Sequence, residues 1–222
     1  MAAIFVSGIG TGVGKTFFSS LYLAKYGKKN KIHYWKPVET GPTIDSDFEL
    51  VKNSVPLPSN YFIPPVSRFA FPASPHYSAK LENSEVDLKT LEKKFEKYSE
   101  ENILIEGAGG LLVPLTENLL YLDFVKKYNI SIVLVTYSGL GTINHTLLSI
   151  EAMKARKVHC YGFYMIGAWN NLSINNSETI EKLSEIPFLG NIDFPGYRLT
   201  KNSLVAYSID NFDPEGKLEI LF

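Results

Sequence analysis

The sequence predicts an α/β fold in which a parallel sheet carries helices on both faces. Short apolar segments alternate with helical segments along the chain, which is typical of strands joined by crossover helices. Several of the strand-like segments are continuous apolar runs, as expected for strands that are buried on both faces. A glycine-rich loop follows the first such segment and leads into a helical one, which is the context of a phosphate-binding loop.

Length and composition indicate one domain without a nucleic-acid surface. The chain has 222 residues, and domains contain roughly 100–200 residues, so we expect a single nucleotide-binding and catalytic domain over residues 1–222. Hydrophobic residues make up 45% and charged residues 20%, the proportions of an ordinary globular protein. With 22 Lys and Arg against 23 Asp and Glu, the chain has no excess of positive charge for binding a nucleic acid.

Cysteine content and hydropathy indicate the cellular compartment in which the protein is expected. The single cysteine, Cys160, excludes an intramolecular disulfide and a metal site built from several thiolates. No apolar run approaches the roughly 18 residues that a membrane span needs, and no basic segment precedes the apolar residues 2–6, as a secretory signal requires. We expect a soluble, cytoplasmic protein that binds neither nucleic acid nor membrane.

Six segments are predicted to be buried strands of the sheet. They are short and apolar, and they lie at residues 3–6, 32–35, 103–106, 130–135, 161–165 and 188–192.

Helical patterns lie between these strands. Residues 17–26 have helical composition, and residues 87–98 carry an apolar stripe opposite four lysines, which we interpret as a solvated helix face. Residues 143–157 form a further amphipathic pattern that begins after the Gly-Leu-Gly-Thr sequence at residues 139–142.

The segment between Pro56 and Pro75 interrupts the alternation. It holds six of the chain's twelve prolines, but Tyr61, Phe62 and further aromatic residues make it too apolar for a free linker. We therefore expect a long loop that packs over the sheet and carries binding groups.

Residues 8–16 read Gly-Ile-Gly-Thr-Gly-Val-Gly-Lys-Thr and resemble a phosphate loop. Glycines let consecutive backbone N–H groups turn toward an anion, and the following helix N-terminus adds positive potential. In such a loop Lys15 contacts the β- and γ-phosphates and the Thr16 hydroxyl binds Mg²⁺. The strict pattern requires a glycine where this chain has Ile9, and Gly8 supplies one a position earlier. The alternative, a glycine-rich turn without a ligand, is disfavoured by the strand, loop and helix context.

The phosphate loop predicts nucleotide binding without specifying the base. Guanine-specific switches carry an Asn-Lys-x-Asp element, which this sequence lacks. Adenine or a loosely selected base is therefore expected.

Three further clusters indicate the chemistry. Residues 36–41 (Lys-Pro-Val-Glu-Thr-Gly) follow the second predicted strand, residues 105–110 (Ile-Glu-Gly-Ala-Gly-Gly) follow the third, and residues 74–76 (Ser-Pro-His) close the proline-rich segment. Because ligands bind at the carboxyl ends of parallel strands, the first two clusters are expected beside the phosphate loop. Lys36 would bring a second ammonium there, and Glu106 a carboxylate suited to Mg²⁺.

Together these clusters resemble the dethiobiotin synthase family of phosphate-loop NTPases, over residues 4 to about 192 and in the expected order. The resemblance implies the phosphate-loop NTPase fold and a homodimer whose substrate site is completed across the interface. It also implies an ATP- and Mg²⁺-dependent cyclo-ligase of biotin biosynthesis. This ligase would convert 7,8-diaminononanoate (diaminopelargonate), CO₂ and ATP to dethiobiotin, ADP and phosphate, through a carbamate and a carbamic–phosphoric anhydride.

The resemblance also implies a role for each matching residue. The catalytic residues would be Lys36 and Lys15, and the Mg²⁺ ligands would be Thr16, Asp47 and Glu106. The nucleotide would contact Gly12, Val13, Gly14, Lys15, Thr16, Phe17, Asp47, Glu106, Gly107, Ala108, Gly109, Ile166 and Gly167. The substrate would contact Thr40 and, at a helix N-terminus of the partner subunit suited to its carboxylate, Gly141, Thr142, Ile143 and Asn144.

Some of these residues have structural alternatives. Asp47 and the nearby Asp45 both precede the helical residues 48–52, and either could cap that helix. Lys36 could be a surface lysine at a strand end. His76 is expected to hold its own loop by hydrogen bonds, and Cys160 to pack in or beside a strand.

Two regions depart from the family pattern. Ile166 and Gly167 stand where relatives usually carry an asparagine that reads adenine, and isoleucine cannot hydrogen-bond a base. The segment after Ile192, which includes Phe194, also looks altered and short. We therefore predict a relaxed nucleotide preference. In addition, Gly12 stands where relatives often have an acidic residue.

The main alternative function is that of a partition or positioning ATPase, a nucleotide-dependent dimer switch of the same superfamily. Those proteins usually carry a lysine early in the phosphate loop, where this chain has Gly10. They also tend to have a membrane- or DNA-binding surface, which the sequence does not indicate.

Overall fold

The predicted strands form most of a seven-stranded parallel sheet. The structure, a computed structural model, describes residues 2–196 and 199–222. Within these residues the strands are β1 (Ala3–Gly8), β2 (Ile32–Trp35), β3 (Val38–Thr40), β4 (Phe62–Ile63), β5 (Ser67–Phe69), β6 (Asn102–Gly110), β7 (Pro114–Thr116), β8 (Leu119–Leu120), β9 (Ser131–Tyr137), β10 (Cys160–Ile166) and β11 (Phe188–Ile192). The main sheet has the order β11-β10-β9-β1-β6-β2-β4, and every neighbouring pair is parallel. The predicted fold class and all six predicted strands are confirmed.

Eight α-helices connect these strands within the described residues. They are α1 (Lys15–Tyr22), α2 (Asp47–Ser54), α3 (Pro75–Leu81), α4 (Leu88–Lys97), α5 (Tyr121–Lys127), α6 (Thr142–Ala155), α7 (Asn171–Ser184) and α8 (Lys201–Asn211). A π-helical turn at Leu23–Gly27 continues α1. The helices predicted from composition and periodicity correspond to α1, α2, α4 and α6, with ends that shift by a few residues. None of the helices described is long and apolar enough to cross a membrane.

Both faces of the sheet are covered, as the apolar strands predict. Alternate side chains of β1 enter two separate buried clusters. Phe5 packs in the cluster that contains Leu91 of α4, whereas Ile4 and Val6 pack in the cluster that contains Phe18 of α1. Burial on both sides explains why these strands are continuous apolar runs.

The proline-rich segment is more regular than predicted. The expectation of a long loop is wrong for two stretches, because β4 extends the main sheet beside β2 and β5 pairs with β3. The side chains of Phe62 and Ile63 are buried in β4, and the Tyr61 ring stacks on His33 with 5.2 Å between centroids. Strands of two or three residues are too short to produce a detectable periodicity.

The register of the central strands determines where the functional residues meet. Val6 of β1 is paired with Glu106 of β6, and Trp35 of β2 is paired with Ile105. The phosphate loop after β1, Glu106, and Lys36 directly after β2 are therefore neighbours at the carboxyl edge of the sheet. The expectation that these clusters lie side by side is confirmed.

Candidate active site

The glycines of the phosphate loop permit a close turn between β1 and α1. Gly12 and Gly14 have φ of +74° and +97°, a region that glycine adopts without strain. A Cβ on Gly14 would lie 2.9 Å from the Ile166 side chain, and a Cβ on Gly8 would lie 2.6 Å from Val13. Close packing within the loop therefore requires glycine at position 8, one place before the glycine of the strict motif.

Lys15 is a buried cation at the start of α1. Its side chain folds back over the loop, and Nζ donates a hydrogen bond to the Gly10 carbonyl oxygen at 2.9 Å. Burial lowers the pKa of Lys15 to about 8; the charge of Glu106 opposes this shift, and that of Lys36 adds to it. Among the described residues no carboxylate lies within ion-pair distance of Lys15, so its charge is available to an anionic ligand.

Glu106 is a carboxylate without exposed surface, held by side chains from α1, from β2 and from the residue that follows β2. Its Oε2 accepts hydrogen bonds from Ser19 Oγ at 2.7 Å and from Tyr34 OH at 3.0 Å. Its Oε1 lies 3.1 Å from Lys36 Nζ. These donors compensate for the loss of water around a buried charge. Burial and the charge of Glu106 raise the pKa of Tyr34 well above its usual value, so this hydroxyl remains a donor.

Lys36 bridges the two acidic residues of the site. It is 3% exposed, and its Nζ lies 2.6 Å from Asp47 Oδ2 in addition to its contact with Glu106. Burial opposes the charge of Lys36, but the carboxylates of Glu106 and Asp47 outweigh it and hold the pKa above its usual value. Lys36 is therefore charged at neutral pH, and the alternative of a surface lysine is wrong.

Asp47 points into the site and does not cap α2. The cap is Ser46, whose Oγ accepts a hydrogen bond from the Glu49 backbone N–H at 3.1 Å. Asp47 Oδ1 instead accepts from the Thr16 hydroxyl at 2.8 Å. Burial would raise the pKa of Asp47, but Lys36 and the Thr16 hydrogen bond lower it below its usual value. The side chain of Asp45 lies outside the described part of the structure.

The oxygen atoms around Thr16 fit a divalent cation. Thr16 Oγ1 lies 2.8 Å from Asp47 Oδ1 and 2.9 Å from Glu106 Oε1, yet a hydroxyl has one proton and can donate to only one of them. Two carboxylates and a hydroxyl are hard ligands of the kind that Mg²⁺ prefers, with water and phosphate oxygens as the remainder. Within the described residues, no group of three or more His, Cys, Asp or Glu could hold a metal.

A cleft of about 1330 Å³ lies over the phosphate loop. Of the residues predicted to bind nucleotide, those that line it are Gly12, Gly14, Lys15, Thr16, Phe17, Asp47, Ala108 and Gly109. Lys36 and Thr40 also line it, with Ser74 of the proline-rich segment. Ser74 Oγ lies 3.0 Å from His76 Nδ1, so His76 makes the local hydrogen bond that was expected of it, but at the start of α3.

The other predicted nucleotide-binding residues are absent from the described lining of this cleft. They are Val13, Glu106, Gly107, Ile166 and Gly167. Ile166 is 2% exposed and packs against Gly14, so it supports the phosphate loop. A Cβ on Gly107 would lie 2.7 Å from the Phe5 ring, which explains the glycine there by packing.

Sequence reasoning pointed to the segment after Ile192 but did not show how its residues form the cleft wall. Phe194, Pro195, Leu199 and Lys201 line the cleft after β11, and the Phe194 ring stacks on Phe17 with 5.0 Å between centroids. The sequence Phe-Pro-Gly at residues 194–196 marked this segment as unusual, but it did not indicate that the Phe194 ring would stack on Phe17. Residues 197 and 198 lie outside the described part of the chain.

The predicted substrate residues at the start of α6 do not reach the cleft of the same chain. Gly141, Thr142, Ile143 and Asn144 are absent from its described lining. Thr142 is buried and its Oγ1 lies 2.5 Å from Thr136 Oγ1, whereas Gly141 and Asn144 are exposed.

Comparison with protein families and curated proteins gives consistent matches. A family model described as an AAA domain matches residues 2–196. The ATP-dependent dethiobiotin synthetase BioD of Leptospira interrogans is 43% identical over 188 residues, which cover 85% of this chain and 84% of the relative. The protein of the same name from Bradyrhizobium diazoefficiens is 37% identical over 209 residues, covering 94% of each chain.

Solved structures with the same fold are more distant in sequence. A ParA family ATPase from Chlorobium tepidum has a TM-score of 0.55 at 10% identity, covering 94% of this chain and 98% of that one. The MinD cell division protein of Aquifex aeolicus has a TM-score of 0.55 at 10% identity, with coverage of 94% and 95%. These similarities show the fold alone.

Proposed function

The chain belongs to the ATP-dependent dethiobiotin synthetase family, whose members are carbon–nitrogen ligases, and from this premise we propose its reaction. The enzyme joins CO₂ to 7,8-diaminononanoate with ATP and Mg²⁺ and releases dethiobiotin, ADP and phosphate. The observation that carries the proposal is the convergence of Lys36, Asp47, Glu106 and Thr16 beside a phosphate loop. This arrangement provides cations and hard oxygen ligands where a terminal phosphate would lie.

The proposed reaction has three steps. One substrate amine attacks CO₂ and loses a proton, which gives a carbamate. A carbamate oxygen then attacks the γ-phosphorus of ATP, the bond to ADP breaks, and a carbamic–phosphoric anhydride forms. The second amine attacks the carbamoyl carbon, phosphate leaves with the bonding electron pair, and loss of a proton completes the cyclic urea.

The two lysines would stabilise the charge that develops during phosphoryl transfer. This reaction depends mainly on positioning and on neutralisation of the oxygens around phosphorus. Lys15 is buried over the loop without a carboxylate partner among the described residues, so it suits the β- and γ-phosphates. Lys36 is held by Asp47 and Glu106, which keeps its ammonium in place before substrate binds.

The metal ligands would be Thr16, Asp47 and Glu106. Mg²⁺ bound there would supply positive charge to the phosphate oxygens. Ser19 and Tyr34 hold the Glu106 carboxylate by hydrogen bonds, and such supporting contacts orient a ligand and affect metal affinity.

We also propose that the active enzyme is a homodimer. Gly141 and Asn144 are exposed and absent from the described lining of their own cleft, although the family resemblance assigns them to the substrate. Leu140 and Leu148, which flank them on the surface, are 82% and 61% exposed. A second subunit would cover these apolar side chains and use the α6 N-terminus to bind the substrate carboxylate.

A nucleotide-dependent switch is the second candidate, because the ParA and MinD structures share the fold. The two functions differ in what triggers ATP hydrolysis. A synthetase hydrolyses ATP with diaminononanoate and bicarbonate present and forms dethiobiotin, which mass spectrometry detects. A switch hydrolyses ATP at the same rate without them, and that result would refute the synthetase assignment.

A further inference from the structure

Glu39 is a buried carboxylate next to the site that the proposed reaction does not use. It lies in β3 and is 7% exposed. Its Oε1 accepts a hydrogen bond from the Phe48 backbone N–H at 2.7 Å, and both carboxylate oxygens lie 3.0 Å from Ser46 Oγ. Glu39 therefore binds the first turn of α2 from outside the helix.

Ser46 extends this contact to a second backbone donor. Its hydroxyl donates to Glu39 and accepts from the Glu49 N–H at 3.1 Å. Two N–H groups at the start of α2 are thus satisfied, one by Glu39 directly and one through Ser46. A carboxylate is also favourable at this position because a helix N-terminus carries partial positive charge.

Arg68 of β5 completes the arrangement. Its Nε lies 3.5 Å from Glu39 Oε2, its Nη2 lies 3.3 Å from Glu49 Oε1, and its guanidinium carbon lies 5.3 Å from the centre of the Phe48 ring. We call Glu39, Ser46, Arg68 and Glu49 the Glu39 network. It joins β3 and β5 to the first turn of α2.

Asp47 lies between the two residues that Glu39 holds. Its side chain is 41% exposed, so packing alone does not restrain it, yet its carboxylate contacts both Thr16 and Lys36. Fixing the backbone at Ser46 and Phe48 fixes the direction in which the Asp47 side chain leaves the helix.

We propose that Glu39 is a positioning residue for the divalent-cation site and acts through Asp47. This inference rests on the proposed role of Asp47 as a metal ligand. Loss of a residue that orients a metal ligand typically weakens affinity about 10–100-fold. Glu39→Gln keeps the size of the side chain but removes the charge that pairs with Arg68, so we expect weaker cation binding by a folded protein.

The test measures Mn²⁺ binding to the full chain with ADP bound, by electron paramagnetic resonance of free Mn²⁺, together with thermal melting. We expect Glu39→Gln to raise the Mn²⁺ dissociation constant about tenfold, and Ser46→Ala, a milder change, to raise it less. Glu82→Gln is the matched control. Glu82 accepts hydrogen bonds from the Ala70 and Phe71 N–H groups and makes no hydrogen bond or ion pair with α2 among the described residues. The Mn²⁺ dissociation constant of Glu82→Gln should therefore equal that of the unaltered protein.

The outcomes separate this inference from the proposed function. Asp47→Asn is measured in parallel and should weaken Mn²⁺ binding. If Asp47→Asn weakens binding and Glu39→Gln leaves it unchanged, even with a lower melting temperature, Glu39 only supports the fold and the inference is overturned. If Asp47→Asn has no effect, the proposed metal site itself is wrong and the inference falls with it.

Discussion

Among individual residues, Lys36 has the clearest predicted role in the reaction. Its ammonium is buried between two carboxylates and lines the cleft. Loss of one preorganised group that stabilises a transition state typically costs about 10²–10³ in kcat, or about 2.7–4 kcal/mol. We therefore expect Lys36→Gln to lower the kcat of dethiobiotin formation by at least this factor, and Lys36→Ala to abolish turnover, both with the fold retained.

The control for Lys36 is Lys89→Gln, on the exposed face of α4. It removes the same charge from the chain and should leave kcat unchanged. Circular dichroism checks that each variant is folded. Near-normal turnover by Lys36→Gln would show that Lys36 has no role in phosphoryl transfer.

Cys160 provides a test of burial. Cys160 is 7% exposed in β10, and burial raises the pKa of its thiol to about 12. Because the thiolate is the reactive form, we expect almost no reaction with a disulfide reagent at pH 8 until the protein is unfolded in guanidinium. With an aromatic disulfide reagent, the absorbance of the aromatic thiol that the reaction releases measures the extent of labelling. Rapid stoichiometric labelling of the folded protein would contradict the buried position.

The sequence predicted the residues that would contact metal and phosphate better than the residues that hold them in place. Recognisable sequence motifs contain Thr16, Lys36 and Glu106. Ser19 and Tyr34 belong to no motif, and they meet Glu106 only because α1 and β2 both pack beside β6. Such supporting contacts depend on tertiary structure, so the sequence alone could not show them.

Among the elements, the phosphate loop combines a positive φ with close packing at Gly14. An alanine there would be strained at φ +97° and would bring its Cβ within 2.9 Å of Ile166. A side chain in this region costs about 1–3 kcal/mol, which for a chain of this size lowers the melting temperature by a few degrees or more. We expect Gly14→Ala to melt lower and to bind ATP more weakly, as measured by calorimetry.

Gly10→Ala is the matched control for stability. No atom lies within 4 Å of a Cβ built at Gly10, and its φ is not positive. Its melting temperature should stay at that of the unaltered protein. Equal melting temperatures for both variants would mean that the loop does not have the conformation described.

The segment after β11 carries the prediction about the nucleotide base. Ile166 is buried against the loop, and the wall formed after β11 includes the Phe194 ring stacked on Phe17. Stacking accepts any base, because every base has an aromatic face. We expect kcat/KM values for ATP, CTP and GTP to differ less than in relatives with the asparagine, and Phe194→Ala to raise KM for all three. A strong preference for ATP in a parallel comparison would refute this.

The sequence did not predict the shortest strands. The alternation of short apolar segments of four to six residues with helical segments predicted the central sheet correctly. The strands β4 and β5 could not be recognised, because two or three residues among prolines show no period. Their pairing became visible only in the structure, and with it the contact of Arg68 with the first turn of α2.

For the whole molecule, the proposed homodimer predicts that two inactive variants can restore each other. Lys36→Gln damages the phosphoryl-transfer site, and Asn144→Ala damages the region assigned to the substrate of the partner. A mixed dimer of the two contains one intact site, composed of Lys36 from one subunit and Asn144 from the other. We expect activity to return when the variants are unfolded together and refolded, and not when they are refolded separately.

A failure to recover activity in that mixture would place both residues in the same subunit's site. Light scattering provides the independent check, since the enzyme should have twice the mass of one chain.

The fold itself does not select the function. The ParA and MinD structures share it at 10% identity, and a near-neutral net charge of −1 excludes only a broad basic surface. The motifs around Lys36 and Glu106, together with relatives that are 37–43% identical, are what distinguish a ligase from a switch.

The most direct test of this assignment is the rate of ATP hydrolysis by the purified chain with Mg²⁺, with and without diaminononanoate and bicarbonate. We predict that hydrolysis depends on both compounds and that one dethiobiotin forms for each ADP. Hydrolysis at an unchanged rate without them, and without dethiobiotin as a product, would contradict it.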